Sequence, residues 1–303
     1  MNAVAGFGKP RVAARAACVS GVAMVPCRRL ARPRRAPENP ALQSPTIALG
    51  TSLFAAEPEL QWRLPRRLRE ISGLALTPDG RVMGHEDETA SLFQIDIGSG
   101  EVVKRFSLGR PVVRGDFEGL AIDADGVFYL TTSTGLLYRF GEGDNGARVG
   151  FEAFDTGLRS VGEVEGLAFL AADERVILAC KTNYSAALQS VFALYSWSPR
   201  TPDQPARPWL TVPLYALADA VGARSFHPSA LEIDPRTGRL VVLAAQENAM
   251  VELDAEGQVL AARRLGTRHR QPEGATILAD GALVIADEGA QLGQMTRYAR
   301  VDA

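Results

Sequence analysis

Five copies of one short pattern run through the chain, and no other feature restricts its fold as much. The copies are Ile71-Ser72-Gly73-Leu74-Ala75-Leu76, Phe117-Glu118-Gly119-Leu120-Ala121-Ile122, Val164-Glu165-Gly166-Leu167-Ala168-Phe169, Pro228-Ser229-Ala230-Leu231-Glu232-Ile233 and Pro272-Glu273-Gly274-Ala275-Thr276-Ile277. Each leads into a turn: Asp79-Gly80, Asp125-Gly126, Asp173-Glu174, Thr237-Gly238 and Asp280-Gly281. Asp-Gly between apolar runs marks a hairpin, because Gly accepts the positive φ that the turn needs. A second apolar strand starts after each turn, near Val82, Val127, Val176, Leu240 and Leu283, and a third near Leu92, Leu136, Phe192, Met250 and Met295. A fourth is legible after the first copy, from Val102 to Phe106, and after the fourth, from Val259 to Arg263. Short strands, four to a period of roughly 40–50 residues, are the pattern of propeller blades. The expectation is an all-β, five-bladed β-propeller. Its last copy ends with three strands, and an N-terminal strand near Leu60–Leu64 can supply the fourth and close the ring. A β-sandwich is the alternative, but it leaves the period unexplained.

The first strand of each blade lines a propeller's central channel. The equivalent positions are then Ser72, Glu118, Glu165, Ser229 and Glu273, three carboxylates and two hydroxyls facing one axis. The Gly that follows in four copies lets the backbones come close. Carboxylates this near one another repel and hold protons, a problem that a divalent cation removes. An oxygen-only ligand set without thiolates or a histidine set favours Ca²⁺ over Zn²⁺. The second strands end near the same mouth, so Glu86 and Asp287 are expected to add a second acidic layer, with Glu247 and Asn183 one step further out. The expected metal ligands are therefore Glu118, Glu165, Glu273, Glu86 and Asp287. Two other readings stay open: a water-filled acidic channel without metal, and a catalytic carboxylate pair. His85, His227 and His269 can ring the same opening, either as polar loop residues or, for His85 or His227, as a general base beside calcium.

Charge is divided unevenly. Residues 1–40 hold eight Lys/Arg and one acid, Glu38, leaving 25 basic and 34 acidic residues beyond them. An acidic body argues against nucleic acid as a partner, since phosphate binding needs clustered basic charge, and suits a cation ligand. The expected organisation is a basic leader over residues 1–57 and a propeller domain over 58–303. The leader has a short apolar run, Ala16 to Pro26, with Arg28-Arg29 directly behind it. That leaves three readings: an export or membrane-anchoring segment, a disordered basic tail, or a mis-assigned start. No stretch reaches the roughly 18 apolar residues of a membrane span. Cys180 is alone in the body and reads as a small buried apolar residue. Gly141 to Gly146 matches a dinucleotide-binding string, but no helical pattern follows it.

The motifs Ile71-Ser72-Gly73-Leu74-Ala75, Asp116-Phe117-Glu118-Gly119-Leu120-Ala121, Ser229-Ala230-Leu231-Glu232-Ile233-Asp234, Gln271-Pro272-Glu273-Gly274-Ala275 and Ala286-Asp287-Glu288-Gly289 resemble the SdiA-regulated family of bacterial calcium-binding β-propeller proteins. The resemblance covers about residues 58–301. It implies a five-bladed propeller, bound calcium and a place in the cell envelope, at the plasma membrane or in the periplasm. It implies no particular reaction. Ala244-Ala245-Gln246-Glu247-Asn248 departs from the pattern, where an Asp-Glu pair would be usual. The expected role is a calcium-binding sensor or binding scaffold whose partner is a small molecule or an envelope protein, with peripheral or anchored membrane association. The alternative is a calcium-dependent hydrolase of the lactonase, esterase or phosphoesterase kind.

Overall fold

All five expected turns bend the chain through the left-handed region. The second turn residue has φ of 86° at Gly80, 79° at Gly126, 50° at Glu174, 73° at Gly238 and 91° at Gly281. Glu174 does without glycine what the other four achieve with it. Between these turns the computed structural model, which describes residues 50–301, places 21 strands in five antiparallel blades.

The first strand, β1 (Leu60–Arg63), belongs to the last blade. Blade 1 is β2 (Ile71–Leu76), β3 (Val82–Glu86), β4 (Ser91–Ile95) and β5 (Val102–Leu108). Blade 2 begins with β6 (Phe117–Ile122), β7 (Phe128–Thr132) and β8 (Leu136–Phe140). The chain then runs back to lay β9 (Arg148–Val149) parallel to β5 on the rim of blade 1, and returns as β10 (Glu152–Asp155) to finish blade 2. Blade 3 is β11 (Gly162–Leu170), β12 (Arg175–Asn183), β13 (Val191–Trp197) and β14 (Arg207–Pro213). A short helix, α1 (Leu214–Ala220), fills the long link to blade 4, which is β15 (Ala230–Ile233), β16 (Leu240–Ala244), β17 (Ala249–Leu253) and β18 (Val259–Arg264). Blade 5 is β19 (Pro272–Ile277), β20 (Leu283–Asp287) and β21 (Gln294–Tyr298), completed by β1, with Leu60 opposite Arg297 and Arg63 opposite Gln294. The expected closing strand is therefore present.

The core sits between blades. Among the described residues, five apolar clusters fill the five clefts between neighbours. Phe106, Phe117 and Phe128 lie between blades 1 and 2, and Tyr129, Cys180 and Trp197 between blades 2 and 3. Cys180 is buried in that cluster, as its composition suggested. Each inner strand touches the next, and β19 touches β2. No helix among the described residues is long and apolar enough to cross a membrane.

One boundary moves. Residues 50–57, assigned to the leader from their position beyond the first motif, pack on the propeller. Leu53 and Phe54 are 3% and 2% exposed and join the cluster between blades 4 and 5. The Leu53 N–H donates to the buried Glu252 carboxylate, and Phe54 forms an isolated bridge with Arg300. The short run Leu53-Phe54-Ala55-Ala56 carries neither a helix nor a strand period, so the sequence had no means of placing it. The leader readings for residues 1–49 lie outside the described residues. Removing this anchor is expected to cost what an emptied aromatic site costs: Phe54→Ala should lower stability by about 3–5 kcal/mol. Urea unfolding of the variant measures it, and an unchanged midpoint would place residues 50–57 outside the cooperative unit.

Candidate functional site at the axis

The motif residue is extra to the ladder. In β2, β6, β11 and β19 the pairing slips by one residue at Ser72, Glu118, Glu165 and Glu273. A β-bulge of this kind leaves one residue unpaired and re-aims its side chain. The bulges set the three glutamates and Ser72 around one small cavity at the axis, which leaves about 10 Å³ for the centre of a water-sized occupant. The next residue, glycine, makes this approach possible. A Cβ on Gly119 would lie 2.8 Å from the Leu167 backbone nitrogen, and one on Gly166 would lie 2.9 Å from that of Leu231. A Cβ on Gly73 would collide with the His85 ring.

The fifth position departs from the pattern. β15 has no slip, and Ser229 turns away to donate to the Pro272 carbonyl at 2.7 Å. Ala230 lines the cavity on that side, so the acids are lopsided.

The cavity's electrostatics follow from burial and repulsion. Glu118 is pushed up to about 9, first by burial and then by the charges of Glu165, Asp116 and Glu273. Glu273 is pushed up to about 8 by burial and by Glu165. Burial also raises Glu165, but Lys181 offsets part of that with an ion pair at 3.1 Å. Burial opposes the Lys181 charge, and Glu165 outweighs it. The Ser72 hydroxyl lies 3.4 Å from Glu118.

The second strands do end at this mouth, with a shift of one residue. Glu86, Thr132, Cys180 and Asp287 stand opposite Ile71, Phe117, Val164 and Pro272, the core-facing residues before each bulge. Cross-strand partners share a face, so these four turn toward the core and the next residue turns toward the axis. Glu86 and Asp287, expected in a second acidic layer, are accordingly placed elsewhere and occupied. The Glu86 carboxylate accepts the Glu88 N–H and the Thr89 hydroxyl. Asp287 accepts the Arg270 N–H at 3.0 Å and pairs with His269 Nδ1 at 2.7 Å, and His269 Nε2 meets the Tyr298 hydroxyl. Glu247 holds the matching loop before β15 through the His227 N–H and the Ser225 hydroxyl. Asn183 is buried and donates to the Val191 carbonyl. At the shifted positions stand Asp87, Lys181 and Glu288. Asp87 is pushed up to about 6 by burial and by the charges of Glu70, Glu86 and Glu288.

The histidines separate in the same way. His85 is fully buried, its Nδ1–H donates to the Glu86 carbonyl, and burial drops it to about 4. It has no access to a substrate and is excluded as a base. His227 is half-buried, and its Nδ1 lies 2.7 Å from Glu247. Of the three histidines it is the one whose ring reaches solvent.

Lys181 is the residue that sequence reasoning passed over. Its signal was present: it occupies in blade 3 the place that Asp87 and Glu288 hold in blades 1 and 5 and Ser133 in blade 2, a cation where two of the blades carry acids. Among the described residues no group of three or more His, Cys, Asp and Glu stands ready-assembled for a metal ion. The donor chemistry nonetheless fits a hard divalent cation. Three ionised carboxylates and one ammonium leave two negative charges, which one such ion balances.

On the far side of the cavity the axis changes character. Leu120 and Leu167 line both the acidic cavity and a second hollow of about 340 Å³ at the opposite mouth. That hollow is walled by Leu76, Ile122, Phe169, Ile233 and Ile277, with Glu232 pushed up to about 7 by burial.

The comparisons with known proteins agree with this architecture. In solved structures, the chain is similar to glutaminyl cyclase from Myxococcus xanthus, at 15% identity with a TM-score of 0.55, covering 81% of this chain and 97% of that one. It is also similar to a luciferin-regenerating enzyme, at 10% identity with a TM-score of 0.51, covering 81% and 96%. At these identities the likeness shows the propeller fold alone. No curated protein matches the chain.

The raised carboxylates make the cation-free protein pH-sensitive. A carboxyl whose folded pKa lies above its unfolded one binds more protons when folded, so stability falls as pH rises between the two. Thermal melts in chelator should therefore decline from the ordinary carboxylate range up to about 9, the value for Glu118. Glu118→Gln should flatten that decline and raise the alkaline melting temperature. A decline that Glu118→Gln leaves untouched would place the repulsion elsewhere.

Residues 221–300, the segment that holds blade 4 and most of blade 5, match the family model described as SdiA-regulated, in agreement with the resemblance carried by the motifs.

Proposed function

We propose that this protein binds one Ca²⁺ at the propeller axis and serves as a calcium-dependent sensor or binding scaffold of the cell envelope. One observation carries the reading: Glu118, Glu165 and Glu273 converge on bulges at one cavity, Glu165 buried and the other two partly buried, and Lys181 pairs with Glu165. Such an arrangement costs stability unless a positive charge repays it. Glu118, Glu165 and Glu273 would hold the ion, with Ser72 as a neutral donor. Calcium accepts six to eight oxygens in irregular geometry, which suits a lopsided set better than the strict octahedron of magnesium. The placement in the envelope, and an envelope protein or small molecule as partner, rest on the family resemblance.

Cation binding requires the carboxylates to lose their protons. Calorimetric titration of the propeller should find about one Ca²⁺ per chain, with protons released at neutral pH. Affinity should climb with pH until Glu118 is ionised near 9. Glu165→Gln and Glu273→Gln should each weaken binding by at least about tenfold, since each removes a charged ligand. Absence of binding at about millimolar calcium, the weak end of known protein sites, would sink the proposal.

A second reading is favoured by the Glu247–His227 pair, a half-exposed imidazole oriented by a buried carboxylate. It would make the protein a calcium-dependent lactonase, esterase or phosphoesterase, with His227 as base and the metal polarising the substrate oxygen. Turnover of ester, lactone or phosphoester substrates that needs calcium and is lost in both His227→Ala and Glu118→Gln would establish it in place of the scaffold role.

A further inference from the structure

Between blades 3 and 4 lies a pocket of about 470 Å³, within the range of small-molecule sites. The long link that carries α1 builds one wall and the end of β12 the other. Its charged lining is all basic or neutral: Lys181, Arg224 and His227. Arg224 has no ion-pair partner among the described residues, and the carboxylate nearest to the pocket's histidine, Glu247, is already held by three hydrogen bonds. Leu214, Tyr215 and Phe226 supply an apolar side, and Tyr215 is 70% exposed. A basic pocket with an apolar wall, on an acidic body, selects a small organic acid with one anionic head on an apolar frame.

Lys181 belongs to both places. It lines this pocket, and its Nζ lies 3.1 Å from Glu165 at the axis. While Glu165 holds the ammonium, the pocket is short of one cation. We propose that the pocket is a ligand site for a small organic carboxylate, and that Lys181 couples it to the axial site. A divalent cation on Glu165 takes over the charge that Lys181 neutralises, repels the ammonium and leaves it to the pocket's anion. This coupling rests on the calcium reading above; the pocket itself does not. Linkage makes the effect mutual, so the acid tightens calcium by the same factor that calcium tightens the acid.

The test uses phenylacetate as probe and 2-phenylethanol as its uncharged counterpart, titrated calorimetrically into the full chain with chelator and with saturating calcium. Phenylacetate should bind saturably and more tightly than 2-phenylethanol, and calcium should tighten it by at least about fivefold, the lower end of ordinary coupling. Arg224→Gln should weaken phenylacetate with and without calcium. Lys181→Met should abolish the calcium enhancement while binding calcium itself at least as well as wild type, because a competing cation has gone. Melting curves check that both variants fold. If phenylacetate binds no better than 2-phenylethanol, or if Arg224→Gln changes nothing, the pocket assignment is overturned. If the enhancement survives Lys181→Met, the coupling is overturned while calcium binding stands. If wild type takes up no calcium, the axial reading and the coupling fall together, and the chelator titrations still decide the pocket.

Discussion

The inner strands come so near the axis that the third motif position has no room for a Cβ. Gly119 faces the backbone of Leu167, Gly166 that of Leu231, and Gly274 that of Gly73. A strand cannot keep its ladder and also thread a side chain into such a gap. The bulge one residue earlier resolves the conflict: it sets the motif residue outside the pairing and turns it to the mouth. The contact that closes the ring is thus the same one that brings three carboxylates together. The fold and the site cannot be altered independently at Gly119 or Gly166.

Charge then divides the axis in two. One mouth carries Glu118, Glu165 and Glu273 with Asp87, Glu288 and the lone ammonium of Lys181. The other is a hollow walled by Leu76, Ile122, Phe169, Ile233 and Ile277. Leu120 and Leu167 stand between them, at the fourth position of their motifs. Alternation along a strand puts first an acid and then an apolar residue toward the centre, so each strand contributes to both halves. The carboxylates face a cavity with room for about one water-sized particle, and the apolar layer behind them withholds solvent. That is why burial, ahead of mutual repulsion, leads the causes that raise Glu118 and Glu273.

The blades could be read from the chain because their signals are local. Asp79-Gly80 or Asp280-Gly281 fixes a hairpin within four residues, and the alternation beside it fixes the strands. The closing strand was also legible, because a three-stranded fifth blade demanded a partner. What escaped was set by register or by distance. Ser229 aligns with Glu118 in sequence, yet β15 has no bulge, so its hydroxyl goes to Pro272. Glu86 and Asp287 missed the axis by one residue, since a bulge on the partner strand changes which neighbour shares its face. Lys181 was visible in the alignment, but its pairing with Glu165 across the β11–β12 hairpin depends on that same register. Leu53 and Phe54 reach their cluster through contacts with residues some two hundred positions later, which no window of sequence reports.

The pairing of β1 with β21 has a consequence for how the molecule comes into being. The two strands are separated by almost the whole propeller sequence, so the ring can be sealed only after the last blade exists. During synthesis β1 leaves the ribosome first and must wait, with its hydrogen-bonding edge open, while four complete blades form behind it. Closing so long a loop adds entropy only logarithmically, but contacts of this range slow the search for the native state. Until they form, β21 presents an unpaired edge of the kind on which chains join one another. Whatever protects the nascent propeller therefore has to act at β1 and β21, and a propeller arrested before they pair would be expected to assemble with its own copies by lending β1 to a neighbour.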